Sequence, residues 1–345
     1  MAYRALPAVV AGVLCAATPL AAQSFGRYPG DHRAGPFVFL DAALVTPTDL
    51  DQVVAYEIAA GADPQTSSTV APAWGWTLAG RIGGGWRFAS GARLAAGYWR
   101  FDDATSVSAD GPSGGLMRFA IGPPVVDDGT LAGSLGTPGS AQFEVSTVAE
   151  LFDLDFGQES PIHEHLTMEW LIGLRYAAFE ETYDGSYDLC ASTGCSEAVD
   201  YAPGEIAYDA VKRNESSMFG LRAAVRARFK WTEDFRVAGG AALSLLTGTI
   251  EGSSGLTPAG ALNASEPGTL LRLVEDRSGM IAEIDVGLEW EVVRDSLRLT
   301  AGWELARWDG VPYDVVRNPS GSLTPNRDRD TVSFSGPRVG LGFRF

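Results

Sequence analysis

Two short segments carry the most pointed chemical pattern in the chain. Arg222, Arg226 and Arg228 stand at even positions of one segment, and Glu283, Asp285, Glu289 and Glu291 at odd positions of another. Alternate residues of an extended chain share a face. Each segment therefore offers one charged face, basic in the first and acidic in the second. A third segment adds Arg298 and Glu304 on one face. Between the first two, Ala238, Gly240, Ala242 and Ser244 form a face of small residues that long arginine side chains can cross. Such an array is either a structural salt-bridge network or a charged constriction that selects ions; the residues leave both open.

Other reactive groups are sparse. The three histidines are His32, His163 and His165. His163 and His165 share a face of an extended chain, but no further ligand is evident near them. The acidic pairs Asp127-Asp128 and Asp328-Asp330 offer oxygen ligands for calcium, although such pairs usually mark solvated loops. Cys190 and Cys195 enclose a short Gly-containing spacer. In an exported chain they meet an oxidising compartment, and a local disulfide is the expected state. A metal site is the alternative, although zinc usually wants four ligands and no His lies nearby. The formal net charge of −17 argues against nucleic acid, whose phosphates need a basic face. No cofactor is expected.

The elements that must hold these faces are strands. Residues 281–292 place Ala282, Ile284, Val286, Leu288, Trp290 and Val292 opposite the acidic set. Residues 219–231 place Phe219, Leu221, Ala223, Val225, Ala227, Phe229 and Trp231 opposite the arginines. Residues 166–176 and 297–305 repeat the pattern. Apolar on one face and small or charged on the other, over a span long enough to cross a bilayer at a tilt, is the requirement of a lipid-facing barrel. Ten strands are expected near 36–45, 74–88, 91–102, 141–155, 164–180, 216–231, 234–250, 279–293, 296–308 and 331–345, with 8–12 as the range. The connections run long and short in strict alternation. The short ones are 89–91, 156–163, 232–234 and 294–295. Outer-membrane barrels pair short periplasmic turns with long outer loops, whereas a soluble sandwich has no reason to sort loops by parity. The fold class is therefore an all-β transmembrane antiparallel up-and-down β-barrel.

Both ends of the chain fit an exported protein. Residues 1–22 read as a signal peptide, with Arg4, an apolar stretch and Leu20-Ala21-Ala22 before Gln23. Residues 23–35 then form a periplasmic segment and 36–345 the barrel. The chain closes on Phe343-Arg344-Phe345, which looks like the signal read by barrel assembly machinery. Phe334 falls on the opposite parity from Phe343, so a register break is expected at Gly336-Pro337. Trp86, Phe88, Trp231, Phe235 and Trp290 at the short turns, and Trp74, Trp76 and Trp308 at the long loops, are expected to form two interfacial girdles.

The segments Trp74-Gly75-Trp76 through Tyr98-Trp99-Arg100-Phe101, Gly173-Leu174-Arg175-Tyr176-Ala177, Phe219-Gly220-Leu221-Arg222, Gly239 through Gly248, Gly287-Leu288-Glu289-Trp290 and Ala301-Gly302-Trp303-Glu304 resemble the Legionella-type pore-forming outer-membrane proteins. The resemblance covers most strands and not the long loops. It implies a barrel with pore activity and hands over no catalytic residue. Barrel proteases and phospholipases need a His base near the outer rim, and none of the three histidines is placed there. The expectation is a non-enzymatic, porin-like pore for ions or small solutes in the outer membrane of a Gram-negative cell. Its pore would be lined by Arg222, Arg226, Arg228, Glu283, Asp285, Glu289, Arg298 and Glu304. The alternative is a non-conducting structural or adhesin-type barrel that displays its loops. Expected partners are outer-membrane lipid and lipopolysaccharide, the assembly machinery, and small solutes or ions.

Overall fold

A computed structural model describes residues 34–48, 50, 55–58, 68–110, 116–119, 140–188, 207–258, 271–294, 296–312, 315–317, 323–325 and 330–345. Ten strands close into one antiparallel barrel: β1 (Gly35–Thr48), β4 (Thr77–Arg87), β5 (Ala92–Asp110), β7 (Ser140–His163), β8 (Leu166–Asp188), β9 (Ala207–Lys230), β10 (Phe235–Pro258), β11 (Leu271–Val293), β12 (Leu297–Asp309) and β15 (Thr331–Arg344). Each pairs with its neighbours in chain order, and β1 pairs with β15 to shut the ring. The up-and-down barrel of ten strands is thus as expected. Short strands lie between some of these. β2 (Ala55–Ile58), β3 (Ser68–Val70) and β6 (Leu116–Phe119) form a small sheet, and β13 (Val315–Arg317) pairs with β14 (Leu323–Pro325). Residues 1–33, with the proposed signal peptide and His32, lie outside the described residues. So do Cys190, Cys195, Asp127, Asp128 and Asp328.

Four short turns gather at one end. After β4, Gly91 takes a φ of 83°, and its N–H donates to the Phe88 carbonyl at 3.0 Å. After β9, the Thr232 hydroxyl accepts from the Phe235 N–H at 3.1 Å. The turn expected over 156–163 is instead strand, and the chain reverses at Glu164-His165. Gly157, Ser160 and Pro161 imitate a turn in sequence. Yet Phe156 faces outward, while Glu159 points in and pairs with Arg87 at 2.6 Å. Pro161 lies past the last partner that β5 supplies, Ala92 opposite Gln158, where a missing N–H is tolerated.

The outward face in the lower part of the barrel is a continuous apolar band. On β11 it runs through Ile284, Val286, Leu288, Trp290 and Val292, and on β9 through Phe219, Leu221, Val225 and Phe229, all exposed. Trp86, Phe88, Trp231, Phe235 and Trp290 are exposed beside the short turns, and Phe235 stacks on Trp290 with 5.7 Å between ring centroids. At the other end Trp76 faces out. Trp308, expected beside it, is fully buried inside the barrel.

Strands β7 to β11 are 23–24 residues long, about twice β4 or β12. They extend past the expected limits towards the long connections and make one side of the wall tall. Along the extension of β7 the two faces exchange polarity. Low on β7, Phe152 and Phe156 face out while Asp153 and Asp155 face in; higher up, Phe143 and Val145 are buried inside while Glu144 is exposed. Lipid contacts the outside only of the lower part, so higher up β7 follows the rule of a water-soluble strand.

Candidate functional site: a charged lumen beneath an apolar ceiling

The inward side chains of the lower barrel form one ion-pair network. Arg175 on β8 is fully buried. Its Nε and Nη2 donate to the two carboxylate oxygens of Asp153 at 2.6 and 2.8 Å, and its Nη1 lies 2.7 Å from Glu283. Arg222 on β9 reaches Asp155 at 2.7 Å and Glu283 at 3.5 Å, and Arg81 on β4 approaches Glu283 at 3.7 Å. Glu283 thus receives guanidinium groups from β4, β8 and β9 and ties facing walls together. One inward position nearer the turns, Asp285 accepts from Arg338 at 2.8 Å and Arg226 at 3.3 Å. Arg338 also approaches Glu304 at 3.7 Å. Lower still, Arg228 lies 3.3 Å from Glu289 and 3.1 Å from Glu169. Arg298 takes the other Glu289 oxygen at 3.2 Å, and Arg93 the other Glu169 oxygen at 2.6 Å.

Sequence reasoning therefore selected a real cluster. All eight of its lumen residues face inward, and the arginines of β9 cross β10 to the carboxylates of β11. Glycine makes some of that crossing possible, because a side chain at Gly240 would meet the Asp285 carboxylate 2.6 Å away. At Gly173 an added Cβ would run into Asp155 in the same way. The reasoning overlooked Asp41, Arg81, Arg87, Arg93, Asp153, Asp155, Glu159 and Arg338. For Asp153 and Asp155 the signal was present in the alternation of Leu151-Phe152-Asp153-Leu154-Asp155-Phe156. Both fall within the strand expected over 141–155; reading 156–163 as a turn ended that strand directly after Asp155 and removed Glu159 from it.

Directly above the network lies an apolar layer, with buried Glu181, Asn214 and Lys212 beyond it. Val45, Ala79, Trp99, Leu151, Phe179, Met218, Ile250, Ile281, Trp308 and Phe334 come one from each of the ten strands, belong to one cluster, and are each no more than 5% exposed. Phe334 is the hub of its aromatic part, with ring centroids 5.1 Å from Phe101, 5.5 Å from Trp99 and 5.5 Å from Trp308. The β15–β12 ladder runs unbroken through Gly336-Pro337, and pairing with β1 is interrupted there but resumes in the same register, so the register does not shift. Phe334 has the opposite parity from Phe343 because it points into this apolar layer.

Beneath the layer lies a cavity of about 280 Å³. Trp99, Trp308 and Phe334 border it above, Asp41, Arg81 and Glu283 at the side, and Ser296 and Arg344 at the turn end. His163 and His165 take no part in it; they sit exposed at the β7–β8 hairpin with rings 6.0 Å apart. Among the described residues, no group of three or more His, Cys, Asp or Glu side chains is placed to hold a metal ion. Phe343 and Phe345 both face outward at the turn end.

Solved structures with a similar course include the outer membrane protease OmpT of Escherichia coli, with 12% identity, 90% of this chain and 97% of that one covered, and a TM-score of 0.48. The translocator domain of the autotransporter NalP from Neisseria meningitidis aligns at 11% identity over 90% and 89%, with a TM-score of 0.36. The toluene transporter TodX of Pseudomonas putida aligns at 10% over 90% of each chain, with a TM-score of 0.31. All three are likenesses of course alone. A search of curated proteins found no match. Residues 41–345, which hold nearly the whole barrel and every lumen residue named above, match the family described as Legionella pneumophila major outer membrane protein precursor, and the chain belongs to that outer-membrane family.

Proposed function

We propose that this outer-membrane barrel is closed at rest and serves as a structural or adhesin-type scaffold that displays its tall outer wall and outer connections. One observation carries the reading: buried apolar side chains from all ten strands meet across the lumen. Water and ions cross such a layer only when it is displaced, and ten strands leave an interior that side chains can fill. The mutual pairing of the charges below points the same way, since Arg175 has no exposed surface left for a passing ion. The reading assigns no catalysis. Its partners are lipid and lipopolysaccharide around the apolar band, and the barrel assembly machinery through the aromatic end at Phe343 and Phe345.

A porin-like pore for ions or small solutes is the second reading, favoured by the charged cavity beneath the ceiling. There Arg222, Arg226, Arg228, Glu283, Asp285, Glu289, Arg298 and Glu304 would line the path. Planar-bilayer recording of the purified, folded protein separates the two. A silent bilayer is expected, and stable single-channel steps would replace the closed reading with the pore.

A further inference from the structure

We propose that the turn-end half of the lumen cavity is a binding site for a small oxyanion, a phosphate or carboxylate group that enters from the periplasm. The inference starts from an imbalance of charge. Arg87, Arg93, Arg228, Arg236 and Arg298 gather around four carboxylates, Glu159, Glu169, Glu289 and Glu291. The first three are shared. Glu289 serves Arg228 through one oxygen and Arg298 through the other, and Arg226 also approaches it at 3.7 Å. Glu169 serves Arg93 and Arg228 in the same manner. Arg228 is the saturated centre, with one nitrogen directed at each of Glu159, Glu169 and Glu289.

Arg93 and Arg298 are left with the surplus. Each meets one carboxylate, through one nitrogen, and each guanidinium carries five N–H donors. Both line the cavity, on the separate walls β5 and β12, and both side chains keep about a fifth of their surface open. A cation excess in a confined space is unfavourable unless an anion joins it. Planar guanidinium forks suit the paired oxygens of phosphate or carboxylate. The rest of the protein sharpens the contrast, because the chain as a whole is strongly acidic and this end of its lumen is not. The ceiling lies above the site, so the route in is the turn end, bordered by Ser296 and Arg344. This holds whether or not the ceiling ever opens, and the proposal stands apart from the question of conduction.

The test is calorimetric titration of the folded full-length protein in detergent, with inorganic phosphate in one arm and succinate in the other. Saturable binding of at least one of them, near one per barrel, is expected, and the stronger arm identifies the preferred group. Arg298→Gln and Arg93→Gln should each weaken it by about tenfold or more, the worth of a charge-assisted hydrogen bond. Glu289→Gln should strengthen it, because it removes a competing carboxylate and leaves the arginines in place. That opposite sign also covers the case in which an arginine variant fails to fold. Arg100→Gln, on the outer surface, should leave binding unchanged. Absence of binding in both arms, or equal affinity in the parent and in folded Arg298→Gln and Glu289→Gln variants, would overturn the site.

Discussion

An arginine introduced at Val286 meets the bilayer at its least forgiving depth. Val286 stands at the middle of the outward series on β11, which runs from Met280 to Val292, and its side chain is exposed to the surroundings. Six residues separate it from either end. At roughly 3.4 Å per residue and a tilt of about 40°, that is about 15 Å of depth on each side. An arginine side chain cannot span that distance to water, so the cost should lie near the top of the range of about 2–4 kcal/mol for a charge at the midplane of a barrel. Taken at about 3 kcal/mol, the folding equilibrium moves by roughly two orders of magnitude. Asp285, the adjacent residue, points the other way. In Asp285→Asn an oxygen remains to accept from Arg338 and Arg226, and each arginine keeps a second carboxylate at 3.7 Å, Glu304 and Glu289 respectively. The loss there should be about 1–2 kcal/mol, the difference between a charged and a neutral acceptor. Urea titration of both variants refolded into lipid vesicles, with the folded fraction read from heat-modifiable migration on gels, measures the contrast. Equal losses, or a greater loss for Asp285→Asn, would refute the assignment of the two faces.

Other consequences follow from the network and its ceiling. Phe334→Ala should lower stability by about 3–5 kcal/mol in the same urea titration, as for other buried aromatic truncations, whereas Phe343→Ala on the outward face of the same strand should cost far less. Arg175→Gln strands Asp153 and Glu283 beside a neutral group and should cost about 3–5 kcal/mol, reduced where Arg222 can substitute. Adding Glu283→Gln to Arg175→Gln should recover part of that loss, and a double-mutant cycle with simple additivity would deny the pairing. Cys190 and Cys195 should be joined outside the cell, so a membrane-impermeant alkylating reagent should label intact cells only after reduction.

Much of the barrel was legible in the sequence because lipid imposes a simple demand. Every outward residue within the bilayer must be apolar, and the period of two then exposes both the strand and its faces. Val286 and Asp285, or Leu221 and Arg222, can be assigned without any structure. Loop length by parity supplied the topology. The charged cluster was legible for the same reason, since alternate charges opposite an apolar face have nowhere to go but the lumen. The errors came from holding that rule fixed along the whole strand. Trp308 and Phe334 are apolar and therefore read as outward, one as a girdle residue and the other as a sign of slipped register. Both point inward, at a height where the interior is itself apolar. Residues 207–215 of β9 escaped notice because outward Arg213 and Glu215 break the pattern expected of a membrane strand. Those two form an ion pair at 2.6 Å on the exposed face.

The exchange of polarity along β7 also accounts for where the apolar ceiling stands. At the top of the lipid-facing band the outward face stops being apolar. Its charges there pair with one another, Arg100 with Glu150 and Arg213 with Glu180. The hydrophobic effect that lipid contact had absorbed on the outside is now available only inside. There the strands gain stability by turning apolar side chains towards the axis, where ten walls lie close enough for those side chains to meet. An apolar ceiling at the membrane boundary is thus the expected result when short barrels are built from strands too long for the bilayer. A wide porin avoids it because its inward side chains cannot reach across. The apolar ceiling then belongs to the ratio of strand length to strand number, and substitutions in the charged layer alone, Asp285→Asn or Arg226→Gln, should leave the barrel silent in a planar bilayer.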